Sequence, residues 1–237
     1  MRMITTILFD LDGTLLPMDQ DAFLKAYLGG LAKKAAPHGY DPEKLVKYVW
    51  AGTGAMVNND GSRINEEVFW DTFSALCGRD TRQDKAIFDD FYHNEFQQLQ
   101  QVCGFDPRAG EAIRQIKAMG YRVALATNPL FPSIATYSRA RWAGLNTADF
   151  DLITTYENSC HCKPNPDYYR DVMNALGVKP EECVMVGNDV SEDMVAEKLG
   201  IRVFLLTDCL INKYNADISA YPQGSFPELM AFIGGLR

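Results

Sequence analysis

Asp10 and Asp12 stand two residues apart at the end of the first apolar run, Ile4–Phe9, and are followed by Gly13 and Thr14. Alternate residues of an extended segment face the same side, so both carboxylates can meet one reacting group. One can attack it while the other moves a proton. Later apolar runs end in Thr127 and Asn128, and in Gly187, Asn188 and Asp189, with Asp193 four residues on. Lys163, followed by Pro164, lies in the connection beyond the run that ends at Thr154. Four carboxylates held together raise one another's pKa values, and one lysine does not balance them. A divalent cation does, and oxygen-only ligands with room for water select Mg²⁺. Mg²⁺ and Lys163 together make an electropositive spot for a phosphate. Thr127 and the backbone N–H groups around Asp12–Thr14 and Asn128 can donate to its oxygens.

The elements that position these residues read as an α/β fold with a parallel sheet. Strand-like runs at Thr5–Phe9, 122–126, 150–154, 183–186 and 202–206 are separated, in the second half, by amphipathic stretches of about ten residues. Such alternation means right-handed βαβ units and a Rossmann-like sheet with helices on both faces. Ligands of open parallel sheets bind outside the carboxyl ends of the strands, where the residues above fall. Asp106-Pro107 opens the first of these helices as a cap and first-turn proline, and Gly120 closes it. Further helices are expected from Ser133 to Ala143, from Pro166 to Gly177 and from Glu192 to Leu199. The polar stretch from Asn212 to Gly224 reads as a surface loop.

Residues 17–103 have another character. Ala22, Leu24, Tyr27, Leu28 and Leu31 recur at helical spacing, as do Val68, Phe69, Phe73 and Leu76. Helices are expected near 19–35, 42–57, 65–76 and 83–99. The two glycines in Gly52–Val57 weaken the second helix and suggest a loop facing the site. This predicts a helical insertion over 17–103, placed after the first strand of a core made of 1–16 and 104–237. Its aromatic residues, Phe69, Trp70, Phe73, Phe91, Tyr92 and Phe96, read as helix packing. His38 and His93 have no visible partners, and Cys160-His161-Cys162 lacks the spacing of a zinc site.

The 237 residues carry a net charge of −8, split evenly between the insertion and the remainder. That disfavours a nucleic-acid polymer as partner, because such a partner requires a basic face. Six cysteines in a chain this long are no disulfide framework, and the opening apolar run is too short for a signal peptide or a membrane span. A cytoplasmic protein acting on a small phosphorylated metabolite is expected.

Asp10-Leu-Asp12-Gly13-Thr14, Ala126-Thr127-Asn128, Lys163-Pro164-Asn-Pro166 and Gly187-Asn-Asp189-Val-Ser-Glu-Asp193 resemble, in order, the four motifs of the haloacid dehalogenase superfamily of hydrolases. Asn188 is a departure, since many members have Gly-Asp directly. The resemblance covers the whole chain, because that family also carries a helical cap after its first motif. It implies a Mg²⁺-dependent phosphatase in which Asp10 is the nucleophile and Asp12 the acid and base. Thr127, Asn128, Lys163, Gly13 and Thr14 would hold the phosphate. The metal would be held by Asp10, the main-chain carbonyl of Asp12 and Asp189, with Asp193 in support, directly or through water. A phosphomutase would keep every motif. A dehalogenase of this family uses no metal and lacks the carboxylate two residues after its nucleophile. A non-catalytic binding protein is the remaining alternative, while a nicotinamide enzyme is disfavoured because no Gly-x-Gly-x-x-Gly follows a strand.

Overall fold

A computed structural model describes residues 3–236. Six parallel strands form one sheet: β1 (Thr6–Phe9), β2 (Arg122–Leu125), β3 (Leu152–Ile153), β4 (Cys183–Gly187), β5 (Arg202–Leu206) and β6 (Gln223–Gly224), in the order β3-β2-β1-β4-β5-β6. β1 is central, with Phe9 level with Leu125 of β2 and Val186 of β4. Every residue of β1 is buried, and its successive side chains enter two different cores. Ile7 and Phe9 pack with α5 (Pro107–Ala118), α6 (Ser133–Trp142) and α8 (Phe226–Gly234), whereas Leu8 packs with α7 (Pro166–Leu176) and the 3₁₀ turn Met194–Leu199. Both faces are therefore covered, which is why Ile7, Leu8 and Phe9 follow one another with no polar alternation.

Between β1 and β2 lie α1 (Gln20–Ala35), α2 (Pro42–Val57), α3 (Asn65–Cys77) and α4 (Lys85–His93). Asp19 and Asp41 cap the first two, accepting from the N–H groups of Ala22 (3.0 Å) and Lys44 (2.9 Å). Phe73 is wholly buried among the rings of Tyr40, Phe69, Trp70 and Phe88. A second ring cluster, Phe23, Tyr27, Tyr92 and Phe96, reaches the sheet-bearing half through Phe96, which stacks on Trp142 of α6 with centroids 5.2 Å apart. The two chain segments that join the helices to the sheet run side by side. Met18 bridges Cys103, and the Gly104 N–H donates to the Pro17 carbonyl.

Several sequence expectations are corrected here. Gly52–Val57 belongs to α2. A Cβ on Gly52 would lie 2.6 Å from the Phe69 ring, so the glycine is what lets α3 approach α2 this closely. The helix expected over 83–99 is three pieces: a 3₁₀ turn Arg82–Asp84, α4, and a 3₁₀ segment Glu95–Val102. The break falls at Asn94, whose backbone leaves the helical region (φ −114°, ψ −84°) while its side-chain amide donates to the Asp90 carbonyl and carboxylate beside the backbone bond from its own N–H to Asp90 O. The helix expected from Glu192 is a 3₁₀ turn from Met194, and the strand expected at 150–154 pairs only over Leu152–Ile153. The end of the expected Asn212–Gly224 loop is β6, which pairs with β5. No described helix is long and apolar enough to cross a membrane.

Candidate active site

The strand register brings the motif residues to one edge of the sheet. The Asp10 N–H donates to Val186 O (2.9 Å) and the Ala126 N–H to Phe9 O (2.7 Å), so the ends of β1, β2 and β4 are level. Asp10, Asp12, Thr127, Asn128, Asp189 and Asp193 all line one cavity of about 230 Å³.

Lys163 lies beneath this edge, fully buried. Its Nζ donates to Asp10 Oδ1 (2.9 Å) and Asp193 Oδ1 (2.6 Å). Burial works against the ammonium, yet the carboxylates of Asp10 and Asp193 outweigh it and hold its pKa well above the ordinary lysine value. Asp193 is pushed up to about 7, by burial first; the attraction of Lys163 opposes this and the charge of Asp10 adds to it. Its second oxygen accepts from the Asp189 N–H (3.0 Å), so both oxygens are committed.

Asp12 has a different partner. The Arg139 guanidinium, buried on α6, pairs with Asp12 Oδ2 and stacks 4.4 Å from the centre of the Phe131 ring. Burial raises the Asp12 pKa, Arg139 opposes that, and Asp10 adds to it. Asp12 Oδ1 is buried with no hydrogen-bond partner among the described residues, which leaves one oxygen of this carboxyl uncommitted. Arg139 was not singled out from the sequence. A signal existed, since position 139 shares the buried stripe of α6 with Ala135, Thr136 and Trp142.

The remaining motif residues hold the loops together. Thr14 Oγ1 donates to Asn188 Oδ1 (2.8 Å), and Asn188 Nδ2 donates to the Cys209 carbonyl (2.7 Å). Asn188 thus ties the first motif to the fourth. Gly13 has φ +83°, and a Cβ there would lie 2.3 Å from Asn188 Nδ2, so glycine is required twice over. Asn128 Oδ1 accepts from the Lys163 N–H (3.2 Å) and its Nδ2 donates to Glu192 Oε2 (2.9 Å). Glu192 is another residue that sequence reasoning passed over; it lines the cavity, and burial pushes its carboxyl up to about 7. The Thr127 carbonyl accepts from Thr154 Oγ1 (2.6 Å) and the Tyr168 hydroxyl (2.9 Å), fixing the turn after β2. Asp189 Oδ1 accepts from the Ser191 N–H and hydroxyl (both 2.7 Å) and the Glu192 N–H (3.0 Å).

The four carboxylates expected around one cation all line the cavity, and three of them have basic partners in Lys163 and Arg139. Among the described residues no group of three or more His, Cys, Asp or Glu side chains is placed to hold a metal. Arg139 draws the Asp12 carboxylate away and Lys163 draws Asp193, so a second buried cation shares the balancing. Cys160-His161-Cys162 is bound into its loop: His161 Nδ1 pairs with Asp171 (2.7 Å), and Asn65 Nδ2 donates to Cys162 Sγ (3.3 Å).

The helical insertion closes the far side of the cavity. Phe69, Trp70 and Tyr92, expected to be packing residues, also line it, together with Phe23, Tyr27 and Trp50. Helical spacing identifies an inward face, and part of that face here borders a cavity.

The sequence from residue 4 to residue 208 matches the family model of the haloacid dehalogenase-like hydrolases. The chain belongs to this family. Among curated relatives, it is similar to pyrophosphatase PpaX of Bacillus cereus (strain AH820), 24% identical over 220 residues, covering 92% of this chain and 89% of that relative. Among solved structures, it shares its fold with 2-haloacid dehalogenase from Pseudomonas syringae pv. Tomato DC3000, at a TM-score of 0.65 and 18% identity, covering 99% of this chain and 100% of that one. It also shares it with the hydrolase YfnB from Bacillus subtilis bound to magnesium, at a TM-score of 0.54 and 18% identity, covering 98% and 99%. The protein is a hydrolase with the fold of this family.

Proposed function

We propose that this hydrolase is a Mg²⁺-dependent phosphatase acting on a small phosphate monoester. The observation that carries the reading is the pair Asp10 and Asp12 at one cavity. Asp10 is held by Lys163, while Asp12 has one free oxygen and a raised pKa. A carboxyl that holds its proton more firmly than usual is suited to donate it to a leaving alcohol, and the dehalogenase chemistry of the family has no use for it. The curated relative named a pyrophosphatase points to phosphoryl transfer as well.

Asp10 attacks phosphorus, a P–O bond forms, and the bond to the alcohol oxygen breaks as Asp12 protonates that oxygen. Asp12, now a carboxylate, takes a proton from water. That water displaces Asp10 from phosphorus and releases inorganic phosphate. Lys163 orients Asp10 and draws charge from the phosphoryl oxygens. Thr127 borders the phosphate, Gly13 and Thr14 shape the loop that carries Asp12, and Asn128 fixes the loop that carries Lys163.

The residues present fit Mg²⁺. The Asp10 and Asp189 carboxylates and the main-chain carbonyl of Asp12 would hold it together with water and phosphate oxygens. Asp193, with both oxygens engaged, would support it through Lys163 and the Asp189 backbone. When bound, the ion supplies positive charge beside the transferring group. Residues 1–16 and 104–237 would form the catalytic unit, and 17–103 a cap over it. The six free cysteines suit a cytoplasmic setting.

The test is to trap the intermediate. An Asp12→Asn variant incubated with an aryl phosphate should carry one added phosphoryl group on the peptide containing Asp10. Label on any other residue, or none with active substrate, refutes the assignment of the nucleophile.

A further inference from the structure

The cavity that receives the leaving group has an unusual wall. Among the described residues, nine aromatics line it, four of them Phe23, Tyr27, Trp50 and Phe69, and no lysine, arginine or histidine does. The two basic groups near the catalytic carboxylates are already committed. Lys163 is buried between Asp10 and Asp193, and Arg139 is paired with Asp12. The charged groups on the wall away from the motif aspartates are acidic: Glu192, and Asp89, which Lys85 pairs at 2.9 Å from outside.

From this we infer that the cavity selects phosphate monoesters whose alcohol is uncharged and apolar or aromatic, and rejects esters whose leaving group carries a carboxylate or a second phosphate. This rests on the phosphatase reading and goes beyond it. An anionic leaving group moved from water into this wall meets no partner cation and two carboxylates, and an unpaired buried anion is strongly disfavoured. A flat apolar group is favoured, because it removes both its own surface and the rings of Tyr27, Trp50 and Phe69 from water and packs edge or face against them. The protein therefore differs in substrate from a pyrophosphatase, although it is similar in sequence to one.

Benzyl phosphate and 2-phosphoglycolate make a direct comparison. Both are esters of a CH₂–O–P unit, one carrying a phenyl ring and the other a carboxylate. The inference predicts kcat/KM for benzyl phosphate on the order of 100-fold above that for 2-phosphoglycolate or inorganic pyrophosphate, since a charged group left without its partner costs at least that much discrimination. Thr53→Lys, which adds a cation to the wall, should narrow the ratio about tenfold. Equal or reversed preference overturns the inference while leaving the phosphatase reading intact. Loss of all hydrolysis would instead count against the phosphatase reading. Binding still decides the inference in that case: Asp10→Asn, titrated by quenching of tryptophan fluorescence, should bind benzyl phosphate more tightly than 2-phosphoglycolate. The opposite order refutes it.

Discussion

Replacing Lys163 with methionine keeps an unbranched side chain, one atom shorter, and removes its charge. In the native protein its ammonium lies 2.9 Å from Asp10 and 2.6 Å from Asp193, with the lysine and Asp193 side chains almost wholly inaccessible. The variant leaves Asp193 buried and facing Asp10 with no cation between them. Breaking a buried pair in this way costs roughly 3–5 kcal/mol. At about 2–4 °C per kcal/mol for a chain of this size, the melting temperature at pH 8 in chelator should fall by roughly 6–20 °C. The loss should depend on pH with a definite sign. Asp193 has a pKa pushed up to about 7 even with Lys163 present, and losing the cation raises it further. A carboxyl that binds its proton more tightly folded than unfolded destabilises as pH rises through its folded pKa. The deficit of Lys163→Met should therefore be small at pH 5 and largest at pH 8. Adding Asp193→Asn should recover part of it, because a neutral amide requires no counter-ion. Urea or thermal unfolding followed by tryptophan fluorescence reads all three. A deficit under about 1 kcal/mol at pH 8, or one independent of pH, would show that Lys163 is solvated and that the buried triad is wrong.

Gly13→Ala should lower kcat sharply and cost more than the about 1–2 kcal/mol usual for a left-handed non-glycine residue; full activity would refute the close contact with Asn188. Phe73→Ala removes a fully buried ring at the centre of the helical insertion and should destabilise by about 3–5 kcal/mol in urea unfolding. Burial raises the thiols of Cys103 to about 11 and of Cys162 and Cys183 to about 12, from an ordinary value near 9. Their contribution to stability is present below pH 9 and lost as pH rises toward 12, so the melting temperature should fall across that window. At pH 8 iodoacetamide should modify Cys209 well before Cys162 or Cys183, as peptide mapping can show; equal rates would contradict their burial.

The parts of the fold legible in sequence are those where one physical rule acts alone. β1, β2, β4 and β5 are buried on both faces over most of their length, so each reads as a largely apolar run, and the polar residues that follow β1, β2 and β4 mark the site. β3 and β6 pair over two residues each and depend on their neighbours in the sheet, which the sequence does not display. Gly52 reads as a breaker because propensity does not register the Phe69 ring that requires it. The last helix of the insertion is split at Asn94, where the backbone leaves the helical region, and helical spacing on either side does not register that single residue. Arg139 escaped notice because a single arginine on a helix reads as a surface charge, and its partner Asp12 lies 127 residues away. The aromatic wall is indistinguishable from core in the sequence for a similar reason: the spacing that turns Tyr92 or Trp70 inward is the same whether protein or a substrate fills the space beyond.

The most direct test of the central claim is hydrolysis of an aryl phosphate by the purified protein with Mg²⁺, with chelator, and by Asp10→Asn. The account predicts turnover that requires the metal and is abolished by the substitution. Turnover that survives Asp10→Asn, or that is unchanged by chelator, would contradict it.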